Sequence, residues 1–374
     1  MANKVSAQSK FNSYVTEVAA LFIEEMKKGN VPWQKPWKQG QSFMPHSTVT
    51  GNEYRGINAM LLMLVQDVCG YRDSRWMTFK QVKDQGGSVR KGEKGVHCIF
   101  WKELEPERDK NDSSKIEETE SKRRFIPCPF VVFNAEQCEG LNLKPLVSKT
   151  EKPQWTPLEA AEKILKASKA DIRELPQDRA FYRPSEDVIV LPVRAQFNSA
   201  EDFYDTALHE LGHWTGHSSR LNRDLSGGFG TQKYAREELR AEISSFMVGA
   251  SLGISHDVSR HAGYVKDWIK VIEKDPKELF RACADAEKIK DYLFSLDKTL
   301  LLSENKTKPK GKTLSAHRKE VETITEKFAL LSEEEKKSAA GTIAKSLKVT
   351  VTHNPYQLEL FGDIRQNKQK ELEQ

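Results

Sequence analysis

The stretch ALHELGHWTGH, residues 207–217, places three of the chain's nine histidines and a glutamate within eleven positions. Ser199 precedes it with Asp202 three residues on, the pattern of a capped helix start, so a helix is predicted from about residue 200 through the motif. At about 100° per residue, His209 and His213 lie roughly 40° apart on one side, while Phe203, Ala207, Leu211 and Trp214 gather on the other. One face holds the helix in a core; the other presents two imidazoles. This is the H-E-x-x-H arrangement, in which two histidines one turn apart bind Zn²⁺ and the glutamate between them, here Glu210, serves as general base. The pattern points to a zinc metallopeptidase acting on a peptide or protein substrate.

A catalytic zinc takes three protein ligands. The extended pattern H-E-x-x-H-x-x-G-x-x-H fits at Gly216 but meets Ser219 where a third histidine belongs, and His217 lies a further turn along. The next predicted helix, KYAREELRAEISSFMVGASLG (233–253), offers a carboxylate instead. Glu242 shares a face with Ala235, Leu239, Phe246 and Gly249, and a carboxylate among apolar residues is costly unless it is paired or bound to metal. Glu242 is the predicted third ligand, with Glu238 one turn earlier in reserve. Glu237 and Arg240 are expected to point away, and the alternative partner for Glu242 is an arginine. Tyr234 is a candidate oxyanion donor, and the strand DVIVLP (187–192) a candidate edge for an extended peptide.

Outward from the motif, 374 residues suggest two domains plus a tail. The longest apolar run, INAMLLMLV (57–65), is far shorter than the roughly 20 residues of a membrane span, so no membrane partner is expected. With no apolar leader after a basic start and five scattered cysteines that form no CxxC pair, the expected compartment is a bacterial cytoplasm. Apolar spacing predicts a helix over 11–26, paired strands at 95–102 and 125–135 around a charged insertion, a polar link near 144–157, a hairpin over 180–192, and helices over most of 199–297. The expected fold class is α+β: a mixed α/β domain over 1–145, a mostly helical zincin-like domain with a small sheet over 154–300, and a linker with a helical tail over 301–374.

Residues 1–100 carry 14 Lys and Arg against 8 Asp and Glu, which accounts for the whole net charge of +5. Aromatic residues sit among those cations: Trp33 and Trp37 in VPWQKPWK, Tyr54 beside Arg55, and Trp76 and Phe79 between Arg75 and Lys80. Stacking faces and phosphate-tracking cations are what single-stranded DNA requires. Arg90, Lys91 and Lys94, among the glycines of SVRKGEKG (88–95), suit a hairpin turn close to a phosphate backbone. Tryptophans also serve as core residues, and such turns as ordinary solvated surface.

Taken together, TALHELGHWTGHSSRLNRDL (206–225) and YAREELRAEISSFMVGASLGI (234–254) resemble the zincin-type domain of the ArdC family of plasmid and phage antirestriction proteins. YRGIN (54–58), RWMTFKQ (75–81), VRKGEKG (89–95) and VFNAEQ (132–137) resemble that family's single-stranded DNA-binding domain. The resemblance covers roughly 8–300 and implies a protein that binds single-stranded DNA and shields incoming DNA from type I restriction. Two alternatives stand beside it. One is a replication-accessory protein whose zinc site is structural or idle; the other is a primase-linked fragment, since plasmid primases carry similar N-terminal regions, although no Toprim-like acidic motif is evident.

The tail departs from the family pattern. In NPYQLELFGD (354–363), Gln357, Leu358, Leu360 and Phe361 resemble the short peptide by which replication proteins dock on the bacterial sliding clamp, with Leu360 and Phe361 as apolar anchors. An apolar plug folded back on its own domain is the alternative.

Overall fold

The computed structural model describes residues 7–31, 33, 44–104, 124–143, 157–254 and 264–297. The chain opens with α1 (Ala7–Lys27), whose Val15, Val18, Phe22 and Met26 are buried at the predicted spacing. Next come β1 (His46–Ser47) and α2 (Gly56–Cys69), which ends where Gly70 takes the left-handed conformation at φ 64°. They are followed by β2 (Arg75–Met77), α3 (Phe79–Asp84), β3 (Ser88–Val89), β4 (Val96–Leu104), β5 (Arg124–Asn134) and β6 (Cys138–Glu139). The predicted pairing of the two long strands is present, with β4 antiparallel to β5 from Val96↔Val132 to Leu104↔Arg124. That ribbon forms half of a sheet of order β1-β2-β5-β4, and among the described residues β3 pairs only with β6. The segment SVRKGEKG is therefore a tight turn, with Gly92 at φ 90°, but not a hairpin: the strands on either side of it belong to different sheets.

The second half contains α4 (Pro157–Ser168), β7 (Asp171–Leu175), β8 (Phe181–Arg183), β9 (Val188–Pro192), α5 (Ala200–Trp214), α6 (Gln232–Leu252), α7 (Val265–Lys274) and α8 (Lys277–Ser295). Ser199 caps α5 as expected, its side chain accepting from the Asp202 amide. The strand order β7-β9-β8 corrects one expectation. DVIVLP forms β9, the central strand, closed to a peptide, whereas β7 and β8 are the edges. An all-apolar strand such as VIVL is read more simply as a buried centre than as an open edge.

One core draws on both halves of the chain. One cluster joins Phe22, Trp33, Met60, Trp76 and Val132 to Leu239, Phe246, Trp268 and Cys283; the other gathers Ile164, Ile189, Phe203, Leu211, Val248 and Ile289. Helix α6 feeds both, which is why it is buried on nearly every side from Ala235 to Ala250. Polar contacts cross the same boundary: Arg55 pairs with Glu287 and Asp291 of α8, and Lys290 lies 3.0 Å from Glu53. No helix among the described residues is long and apolar enough to cross a membrane.

Candidate functional site

Helices α5 and α6 cross closely because Gly212 has no side chain. A Cβ there would come within 2.9 Å of Ser244 Oγ and 3.5 Å of the Ala241 Cα. This approach sets which carboxylates of α6 meet the histidines of α5. The Nε2 atoms of His209 and His213 lie 3.2 Å apart, and the Glu238 carboxylate closes the triangle at 3.6 Å from His209 Nε2 and 3.3 Å from His213 Nε2. The other ring nitrogens are covered too. His209 Nδ1 is 3.2 Å from Glu242 and His213 Nδ1 is 3.2 Å from Glu237.

The sequence reading had these glutamates in other roles. Glu238, held in reserve, belongs to the three-atom group that could hold a metal, while Glu242, fully buried, stands behind His209. Glu237 does not point away: it takes His213 on one side and the Arg223 guanidinium, at 2.7 Å, on the other. Arg240 is likewise turned inward, to Glu278 and Asp285. Face assignment on a helix buried all round cannot separate ligand from support; the register of the α5–α6 crossing decides.

The residues fit a divalent cation on two counts. Tetrahedral bonds of about 2.0–2.1 Å require ligand atoms about 3.3–3.4 Å apart, close to the spacings seen. Four carboxylates (Glu210, Glu237, Glu238, Glu242) also converge on two imidazoles and one guanidinium, a surplus of negative charge in a buried place. The protonation states reflect that surplus. Burial pulls His213 down, but Glu238 and Glu237 more than reverse it, to about 9. Burial would raise Glu238, but His213 and His209 hold it well below the usual range. Burial raises Glu210, and the two histidines offset this only in part.

A cleft of about 1090 Å³ opens onto this centre. Edge strand β8 forms one wall, with Phe181 and Tyr182 in the lining beside Glu210. The cleft is also lined by Phe229, 83% exposed, and by two tyrosines whose hydroxyls are 3.2 Å apart, Tyr234 and Tyr264. Burial and the nearby Glu238 charge push the Tyr234 phenol far up, so it stays a donor. Tyr264 and Glu237 were missed from sequence because neither lies in a recognisable spacing with the histidines.

The aromatic set chosen for DNA is divided. Trp33 and Trp76 are 0% exposed, Trp33 stacked on Phe22 and Trp76 donating to Gln66 Oε1 at 3.0 Å, so neither is a stacking platform. Tyr54 is half-buried against Phe130. Arg55 is engaged with α8, as described above. Lys80, Arg90 and Lys91 are exposed and Lys94 half-buried. Trp37 lies outside the described residues, as do Gln357, Leu358, Leu360 and Phe361.

Two family models match: the N-terminal domain of the anti-restriction factor ArdC over residues 12–133, and a zincin-like metallopeptidase over 159–285. Two DNA primases TraC of Escherichia coli are 50% identical over 292 residues and 49% over 296, each match taking in 75% of this chain. The chain spans only 20% and 27% of those primases. An uncharacterized protein of Sinorhizobium fredii, y4eC, is 32% identical, with 90% of its length covered. Crystal structures of the antirestriction protein ArdC from plasmid R388, metal-free and Mn(II)-bound, match with a TM-score of 0.60 and 34% identity, over 75% of this chain and 97% of that one.

Proposed function

Because the chain belongs to the ArdC family of antirestriction proteins, we propose that it binds single-stranded DNA through its N-terminal domain and works as a zinc metallopeptidase through its second, protecting incoming DNA from host restriction. The observation that carries the peptidase reading is Glu210: a buried carboxyl beside the His209–His213–Glu238 group, facing a cleft wide enough for a peptide. A purely structural site has no use for such a group.

His209, His213 and Glu238 would hold the ion, with Glu242 and Glu237 fixing the ring orientations from behind. When bound, the cation polarises a carbonyl oxygen and acidifies water. Glu210 takes the proton and returns it to the leaving amine, a role suited to a carboxyl raised by burial. The edge of β8 lays an extended peptide across the cleft, and Tyr234 and Tyr264 supply hydroxyl donors in the cleft lining. The test is a comparison of the metal-loaded wild type with Glu210→Gln on unfolded protein substrates. Cleavage by the wild type alone, with metal content equal in both, supports the reading; equal cleavage by both removes it.

The primase match favours a second reading, in which this two-domain unit accompanies DNA synthesis on transferred single strands and protects by occupancy. There, Glu210→Gln leaves protection in a plasmid-transfer assay unchanged. The domain division at about 145 and the clamp-binding tail remain part of the proposal.

A further inference from the structure

The buried tryptophans leave open which surface meets the bases. Two residues beyond Trp76, the chain turns outward at Thr78, whose side chain and that of Gln81 cap each other's backbone, and the first residue of α3 is thrown onto the surface. Phe79 is 51% exposed. Its ring meets Phe133 of β5 edge-on at 6.5 Å, and Lys83 Nζ lies 5.8 Å from its centroid. Phe133 in turn packs on Gly95, where any Cβ would collide with Phe133 and Val131, so the turn carrying Lys91 and Lys94 is drawn against the same aromatic pair.

Charge is sorted around it. Lys80, Lys83 and Lys91 are exposed, while the neighbouring carboxylates are tied to local donors: Asp73 to Arg75, Glu93 to Arg90 and Gln137, Glu139 to Ser88, and Glu136 to the Arg72 and Asp73 amides. Asp84 is exposed, and so is Glu103, opposite Phe125 on β4. The face of β5 that holds Phe133 and Val131 runs on to Phe125, 51% exposed, with Trp101, 54% exposed, across from Pro127. From 133 to 125 it spans about 26 Å at the usual rise of a strand.

We infer that this face of the β4–β5 ribbon is the single-strand interface: a base stacks on Phe79, phosphates follow Lys80, Lys83 and Lys91, and the strand continues toward Phe125 and Trp101. This rests on the DNA-binding reading above and specifies where it takes place. Stacking requires an exposed aromatic face beside cations, and Phe79 supplies what Trp76 cannot.

The test is fluorescence anisotropy of a labelled oligothymidylate with the full-length protein over a salt series. Phe79→Ala should weaken binding roughly 5- to 150-fold, the range for one stacked base, and Phe79→Trp should retain it. Lys80→Ala with Lys91→Ala should reduce the slope of log affinity against log salt by about 0.7 per lysine. A wild type that binds single strands while Phe79→Ala binds equally well overturns the assignment but leaves the DNA-binding reading standing. A wild type that does not bind refutes that reading itself. Phe79→Ala that shifts the sedimenting mass with DNA affinity intact would give the face to a protein contact and overturn the proposal.

Discussion

The α5–α6 crossing and the aromatic segments of the N-terminal half respond differently to burial. Around His209 and His213, seven ionisable side chains lie buried or nearly so, and all but Glu210 are paired with another charge. Around Trp76, Arg72 and Lys80 stay at the surface while the ring goes inside, as does that of Trp33. Burying an imidazole or a carboxylate is expensive without a partner, so their clustering in sequence signals a site; burying an indole is favourable, so its presence among cations does not.

The largest effect that would break this contrast comes from the tryptophans. Trp76→Ala should cost about 3–5 kcal/mol in urea unfolding, and Phe79→Ala, three residues on, well under 1 kcal/mol. Equal losses would mean that the two rings are not sorted as described. A smaller effect tests the crossing. Gly212→Ala should destabilise by about 1–3 kcal/mol through overpacking against Ser244 Oγ, and adding Ser244→Ala should recover most of it, because the next atom, at 3.5 Å, is ordinary contact. No recovery in the double variant would place the constraint elsewhere.

The smallest effect concerns pH at the α6–α8 contact. Burial raises Asp285, but Lys288 and Arg240 hold it below the ordinary carboxylate value. A group depressed in the folded state stabilises above its unfolded pKa of about 3.9, and that contribution fades as pH falls through the folded value. Asp285→Asn should therefore lower the melting temperature at pH 7, and by progressively less as the pH falls through the depressed folded value. An equal shift at every pH would show that the ion pair with Arg240, at 2.8 Å, is not the cause.

Much of the fold was legible. Apolar spacing located α1 and the β4–β5 ribbon, turn residues the β8–β9 hairpin, and the Ser199 cap the start of α5. It found α6 but not the roles of its faces, because both cores claim the helix and nearly every side is buried. Glu238 and Glu242, one turn apart, are then indistinguishable until Gly212 fixes the register. The role of β9 was misjudged for a related reason: alternation says which face is buried, not which edge is paired. Glycine inside HELGH was the one sequence signal of close helix approach, and it bears directly on the choice of ligand.

Metal content after exhaustive dialysis, measured on the full-length wild type, Glu238→Ala and Glu242→Ala in parallel, tests the centre most directly. One equivalent of Zn²⁺ in the wild type, none in Glu238→Ala, and retention in Glu242→Ala with affinity about 10- to 100-fold weaker is the expected pattern, since one removes a ligand and the other only the group behind His209. Full occupancy in Glu238→Ala with loss in Glu242→Ala would contradict the arrangement of the site.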